Sequence, residues 1–110
     1  MKIILLFLAL SLPAMAGDIY ITKYESQADI KVYVAKYQSQ ADLKVWVAKY
    51  ASQADGKDEV WHYVKYESQA DIKIYFVKYE SQADLKVYFV DYESQAGWIN
   101  SHKWQGRLSK

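Results

Sequence analysis

Apolar residues occupy every second position over much of the chain after residue 17. In the stretch 71–79, Ile72, Ile74 and Phe76 point one way and the residues between them point the other. Successive side chains of a strand face opposite sides, so this period of two predicts a short strand with one apolar face. Val, Ile, Tyr and Phe dominate these runs and favour strands over helices. The pattern therefore predicts an all-β fold.

The alternating run is repeated along the chain. Its generic unit is Asp-aliphatic-Lys-aliphatic-aromatic-apolar-apolar-Lys-Tyr-x-Ser-Gln-Ala, usually 13 residues long. The six copies are 18–28, 29–41, 42–54, 55–70, 71–83 and 84–96. A degenerate seventh piece, 97–104, follows them. Because one such unit cannot bury its apolar face alone, we predict six to seven short strands that pack together as one domain, residues 17–110.

The connectors between the runs read Tyr-x-Ser-Gln-Ala-Asp. Ser, Gln and Asp side chains in such connectors are expected to hydrogen-bond backbone groups. The long fourth copy adds 55–58, which predicts a turn at Gly56. Short connectors are compatible with hairpins and a simple meander. Nearly identical strands specify their register weakly, however, so we expect a compact closed winding to determine their order.

The first sixteen residues have the pattern of a signal peptide. Lys2 precedes the apolar stretch 3–12, and 13–16 ends in the small-x-small pattern of a cleavage site. The apolar stretch is short for a membrane span. We therefore expect cleavage after Ala16, export to the periplasm or the medium, and no membrane anchor.

The charge balance limits the classes of partner, and the absence of cysteine limits the sources of stability. The chain has 14 Lys and Arg, one of them Lys2, and 13 Asp and Glu, so the expected mature chain from Gly17 has no formal net charge. This balance disfavours nucleic acid and acidic lipid as partners. Without cysteine there is no disulfide, and stability must come from packing or topology.

The repeated residues resemble a known family. Units such as 29–42 and 84–98, with their Lys-Tyr-x-Ser-Gln-Ala-Asp element, are similar to the small bacterial septoil-knot domain, a family of unknown function. The resemblance covers 18 to about 104. It implies a backbone wound into a deeply knotted, seven-crossing 7(1) torus topology. It implies no catalytic residues.

Candidate chemistry is sparse. The repeated Ser, Asp and Lys make six equivalent environments, whereas catalysis needs one asymmetric pocket, so we interpret them as scaffold and expect neither catalysis nor a cofactor. The residues Asp55, Asp58, Glu59 and His62 resemble scattered metal ligands. Strand alternation places Glu59 and His62 on opposite faces, so no metal site is predicted.

The asymmetric parts of the chain contain the candidate interaction residues. These are Trp61 and His62 in the long fourth copy, and Trp98 and Trp104 in the tail. Our first hypothesis is a non-enzymatic exported domain with a structural or interaction role and an unknown partner. The alternatives are an aromatic surface that binds glycan or a protein partner, and a self-assembling extracellular β-repeat subunit, hence a homo-oligomer.

Overall fold

The computed structural model describes residues 17–108, and the predicted signal peptide, 1–16, lies outside the described residues. Short 3₁₀ turns separate the strands, and no helix in the described range is long and apolar enough to cross a membrane. The strands are β1 (Asp18–Ile21), β2 (Ile30–Val34), β3 (Leu43–Val47), β4 (Val60–Tyr63), β5 (Ile72–Phe76), β6 (Leu85–Phe89) and β7 (Gly97–Trp98). The 3₁₀ turns are Glu25–Gln27, Gln38–Gln40, Ala51–Ala54, Glu67–Gln69, Glu80–Gln82 and Glu93–Gln95. The prediction of six to seven short strands is confirmed.

The strands form a closed barrel. Their order is β4-β1-β5-β2-β6-β3-β7, and an additional pairing of β3 with β4 closes β1 to β6 into a ring. All barrel pairings are parallel, and only β7 runs antiparallel, to β3. Parallel strands exclude hairpins, so each connector crosses over to the start of the next strand. The expectation of a closed winding is confirmed, and the meander alternative is wrong.

The chain goes around the barrel and then interleaves with itself. β5 lies between β1 and β2, and β6 lies between β2 and β3. Apart from β3 and β4, consecutive strands are never neighbours. Nearly every strand is thus held by partners from the other half of the chain, which explains how a repeat without disulfides forms one domain.

A constant register keeps the apolar faces inside. When the copies are aligned on their Lys-Tyr pairs, neighbouring strands are offset by two residues at each interface, as in Ile19 opposite Ile72 and Ile30 opposite Ile74. An even offset preserves the face to which each side chain points. Closure with a uniform offset also places equivalent positions of the six copies in rings around the barrel axis.

The central ring of inward side chains is completely buried. It consists of one residue from each of the six barrel strands, all at most 1% exposed: Ile19, Val32, Val45, Trp61, Ile74 and Val87. A second ring towards the start of the strands includes Ile30, Leu43, Ile72 and Leu85. Each such side chain stabilises the fold by about 1.5–3 kcal/mol through burial. The predicted apolar face of the strands is therefore the barrel core.

Candidate interaction surface

Trp61 lies in the core and not on a surface. It is 1% exposed, its Nε1 donates to the carbonyl of Asp58 at 2.9 Å, and its ring meets Phe89 edge-to-face at 6.0 Å. The fourth copy places Trp61 at the inward position that Ile74 occupies in the fifth. The expectation that Trp61 contributes to an interaction surface is therefore wrong, because strand alternation turns this ring inward.

His62 faces outward at the seam between β4 and β1. Its Nδ1 lies 2.9 Å from Oδ1 of Asp18, and its backbone N–H donates to the carbonyl of Gly17. Both His62 and Asp18 are about one-fifth exposed. The side chain thus joins two adjacent barrel strands, β4 and β1, and is only partly exposed to solvent.

The fourth-copy insertion and the C-terminal tail meet at one carboxylate. Asp58 is buried and accepts hydrogen bonds from Nε1 of Trp98 at 3.0 Å, from the backbone of Gly106, and from the backbone of Leu108 at 3.0 Å. Leu108 is itself 1% exposed and packs in the core. The two regions where the repeat is broken therefore form one structure that covers the end of the barrel where the strands begin. The sequence does not distinguish Asp58 from the neighbouring acids Asp55 and Glu59, because its burial depends on the distant tail.

Trp98 and Trp104 belong to this cover. Both rings are half-buried against the core, and Trp98 stacks on His102 at 5.8 Å. Nε1 of Trp104 is buried and makes no hydrogen bond within residues 17–108. Of the four candidate residues, Trp98 and Trp104 lie in this cover, and Trp61 hydrogen-bonds to the same Asp58 from within the core. Only His62 lies apart from them, against Asp18.

The scattered acids and histidine do not converge. Asp58 is occupied by donors from the tail and His62 by Asp18. Across the described range, 17–108, no group of three His, Cys, Asp or Glu residues has the geometry to hold a metal ion.

The repeated aspartates hold neighbouring strands in register. Four of the six donate their backbone N–H to a carbonyl on the adjacent strand, and their carboxylate accepts the N–H of that same residue, at 2.7–3.1 Å. The four reciprocal pairs are Asp29 with Lys73, Asp42 with Lys86, Asp71 with Asp18, and Asp84 with Lys31. The side chain thereby extends the parallel ladder past the first residue of the strand.

In the connectors, glutamine side chains and not serine side chains hydrogen-bond to the backbone. Oε1 of Gln53 accepts the N–H of Tyr50 at 3.1 Å, and Oε1 of Gln69 accepts that of Tyr66 at 3.3 Å. The hydroxyls of the six repeated serines make no hydrogen bond in the described chain, and all six residues are exposed. The expected backbone bond is confirmed for these glutamines and for aspartate, and it is wrong for serine. Aspartate reaches a distant strand instead of its own turn.

Burial and charge raise the pKa of two groups near the seam. Burial raises the pKa of Asp71, and the negative charges of Asp18 and Asp55 act in the same direction, while the hydrogen bond from the Asp18 N–H opposes them. Burial also raises the pKa of Tyr63 to about 12. Both side chains therefore favour their neutral forms more than in water.

The opposite end of the barrel, where the strands finish, carries an apolar ring that we call the mouth ring. Its members follow the central ring by two residues in each copy: Ile21, Val34, Val47, Tyr63, Phe76 and Phe89. Their inward parity follows from strand alternation, and Tyr63, Phe76 and Phe89 pack on the core. Yet Ile21, Val34 and Val47 are 41%, 43% and 38% exposed. The mouth ring is thus in contact with both core and solvent.

Charged and aromatic residues follow the mouth ring in every copy. Five copies carry an exposed lysine two residues later, and we call these residues the lysine rim: Lys23, Lys36, Lys49, Lys65 and Lys78. The sixth copy carries Asp91 at this position. A tyrosine that is 58–67% exposed comes next in each copy: Tyr24, Tyr37, Tyr50, Tyr66, Tyr79 and Tyr92. In three copies the lysine ammonium lies 5.6–5.9 Å from the ring of its own tyrosine. The repeated Lys-Tyr element is evident in the sequence, but the apolar ring beside it becomes evident only when the barrel closes.

Comparison with known proteins supports one family. A scan against protein families matches residues 16–99 to the 7(1) septoil knot domain. Neither a search of curated proteins nor a search of solved structures finds a match. The matched range includes all six copies and β7, and the interleaved closed winding of the strands agrees with a knotted all-β domain. The chain belongs to the 7(1) septoil knot domain family.

Proposed function

We propose that this protein is a non-enzymatic exported domain with a structural or interaction role. The observation that supports the proposal is that the repeated polar side chains bond to other parts of the barrel. The aspartates bond to backbone groups of neighbouring strands, and three strand lysines, Lys31, Lys73 and Lys86, pair with a glutamate of the preceding turn at 3.0–3.4 Å. Residues that could form a Ser-Lys or Ser-Asp system are therefore employed in the scaffold.

Labelling with a fluorophosphonate probe tests the non-enzymatic part. Such probes modify serines that a neighbouring base activates, and the six repeated serines have no base bonded to their hydroxyls. We expect no labelling above that of a heat-denatured control. Labelling of Ser52 or any equivalent serine in the folded protein, lost on denaturation, contradicts the proposal.

Intact mass tests export. Protein recovered from the periplasm or medium is expected to begin at Gly17. A recovered mass that retains Met1 to Ala16, or protein confined to the cytoplasm, contradicts this part of the proposal.

The exposed tyrosines favour a second candidate, an aromatic surface for glycan. Tyrosine rings with an ammonium group above them can stack on sugar faces and hydrogen-bond to their hydroxyls. Binding on a glycan array should fall at least tenfold in Tyr37→Ala combined with Tyr79→Ala. The control Trp98→Phe changes an aromatic residue at the other end of the barrel and should leave glycan binding unchanged. Equal loss in both variants contradicts a tyrosine surface.

A further inference from the structure

The two ends of the barrel differ in how far the core is covered. Where the strands begin, the tail covers the core with Leu108, Trp98 and Trp104. Where the strands end, the mouth ring contacts solvent directly. Around the barrel its members alternate between aliphatic and aromatic in the order Ile21, Phe76, Val34, Phe89, Val47, Tyr63. Exposed apolar residues that cluster at one site, unlike those scattered singly, indicate an interaction surface.

Charge is also segregated between the ends. The lysine rim surrounds the mouth ring, since its members follow all barrel strands except β6, where Asp91 stands. The repeated aspartates precede the strands and lie towards the covered end. At these six positions five cations stand against one anion. The glutamates that follow four of the tyrosines are each paired with another lysine, outside the lysine rim. The mouth end therefore has a positive field that the zero net charge of the mature chain conceals. The zero net charge that disfavours acidic lipid is an average over the whole chain and does not describe this end.

We propose that the mouth end docks on the surface of an anionic lipid bilayer. This proposal rests on the interaction role proposed above and names its partner. The mouth ring enters the boundary between headgroups and acyl chains, and the lysine rim pairs with lipid phosphates while its aliphatic stems lie along the apolar region. The six exposed tyrosines lie at the depth where tyrosine is enriched in membrane proteins, at the interface with water.

The charge distribution favours a bilayer over a second copy of the chain. Two barrels that met mouth to mouth would bring two lysine rims together, and like charges in close contact are repulsive. A head-to-tail stack would place the mouth ring against the tail that already covers the other end. An anionic surface complements both the apolar ring and its cationic border.

Co-sedimentation with vesicles tests the proposal, using processed protein of verified mass so that the apolar segment 1–16 does not contribute. We expect binding to phosphatidylcholine vesicles that contain 30% phosphatidylglycerol, weakened by salt, and little binding to phosphatidylcholine alone. Charge reversal in Lys36→Glu should weaken binding about thirtyfold, at about fivefold per unit charge near an anionic surface. Val34→Glu should weaken binding at least as much, since it places a carboxylate in the mouth ring. Val34 is partly exposed, and circular dichroism verifies that this variant folds.

Lys103→Glu is the matched control, because it makes the same charge change on an exposed residue of the tail. It should lower the affinity less than threefold. Absence of wild-type binding, or equal weakening by Lys36→Glu and Lys103→Glu, overturns the proposal. A dimer in sedimentation velocity that Val34→Glu converts to monomer also overturns it, by assigning the mouth ring to a second copy. In each of these cases export and the absence of serine labelling are unaffected, so the function proposed above is judged separately.

Discussion

Replacing Asp58 by alanine should release the C-terminal tail. The carboxylate accepts three hydrogen bonds, from the side chain of Trp98 and from the backbone N–H groups of Gly106 and Leu108. Hydrogen bonds to a charged group contribute about 1.5–3 kcal/mol each when taken singly. They are not additive here, because the tail can leave as a unit and its donors then bond to water.

Undocking of the tail therefore determines how much the free energy of unfolding falls in Asp58→Ala. Undocking also exposes Leu108, whose burial is worth about 1.5–3 kcal/mol. We expect Asp58→Ala to lower the free energy of unfolding by about 3–6 kcal/mol, the sum of one hydrogen bond to a charged group and the burial of Leu108. Asp55→Ala is the matched control, because Asp55 is an exposed acid of the same turn and makes no hydrogen bond through its side chain in the described chain. It should change stability by less than about 0.5 kcal/mol.

Two assays separate global from local effects. Urea denaturation followed by circular dichroism measures the free energy of unfolding. Limited trypsin digestion reports undocking of the tail, since Lys103 and Arg107 lie within it and are exposed. Cleavage at these residues should accelerate in Asp58→Ala only. If both variants have equal stability and equal cleavage rates, Asp58 does not hold the tail.

Two further predictions concern the repeated residues. Asp84→Ala should lower the free energy of unfolding, measured by urea denaturation, by about 1–2 kcal/mol, because it leaves the N–H of Lys31 without its acceptor. The neighbouring Ser81→Ala should lower it by less than about 0.5 kcal/mol. The reverse ranking contradicts the roles assigned to aspartate and serine. The pKa of Asp71 is raised in the fold, so its contribution to stability is fully present below the unfolded pKa near 3.8 and is lost as pH rises through the folded pKa. The stability of Asp71→Asn relative to wild type should therefore increase from pH 3 to pH 6. Asp84→Asn is the control, because it makes the same change in an equivalent copy. If wild type and Asp71→Asn have parallel profiles of stability against pH, the pKa of Asp71 is not raised.

Local features can be predicted from the sequence, whereas the partners of individual side chains cannot. The turn at Gly56 is confirmed, with a φ of +71° that favours glycine. The sequence predicts Trp61 on an interaction surface because it lies in the long copy. When the copies are aligned on their Lys-Tyr pairs, however, it occupies the inward position of Ile74 and is a core residue. The role of Asp58 needed the tail as a partner, 48 to 50 residues away for Gly106 and Leu108.

By itself, the sequence determines what each copy can become. Period two sets which side chains share a face, and β-branched and aromatic residues make each copy a strand, because these are properties of a few consecutive residues. Which copies pair is a different matter. Asp29 binds Lys73 and Asp84 binds Lys31, at separations of 44 and 53 residues, and nearly identical copies offer no local preference among partners. Only closure of the barrel, in which every strand finds two neighbours at the same two-residue offset, decides the interleaved order. That closure also decides that one end is covered by the tail and the other is left open.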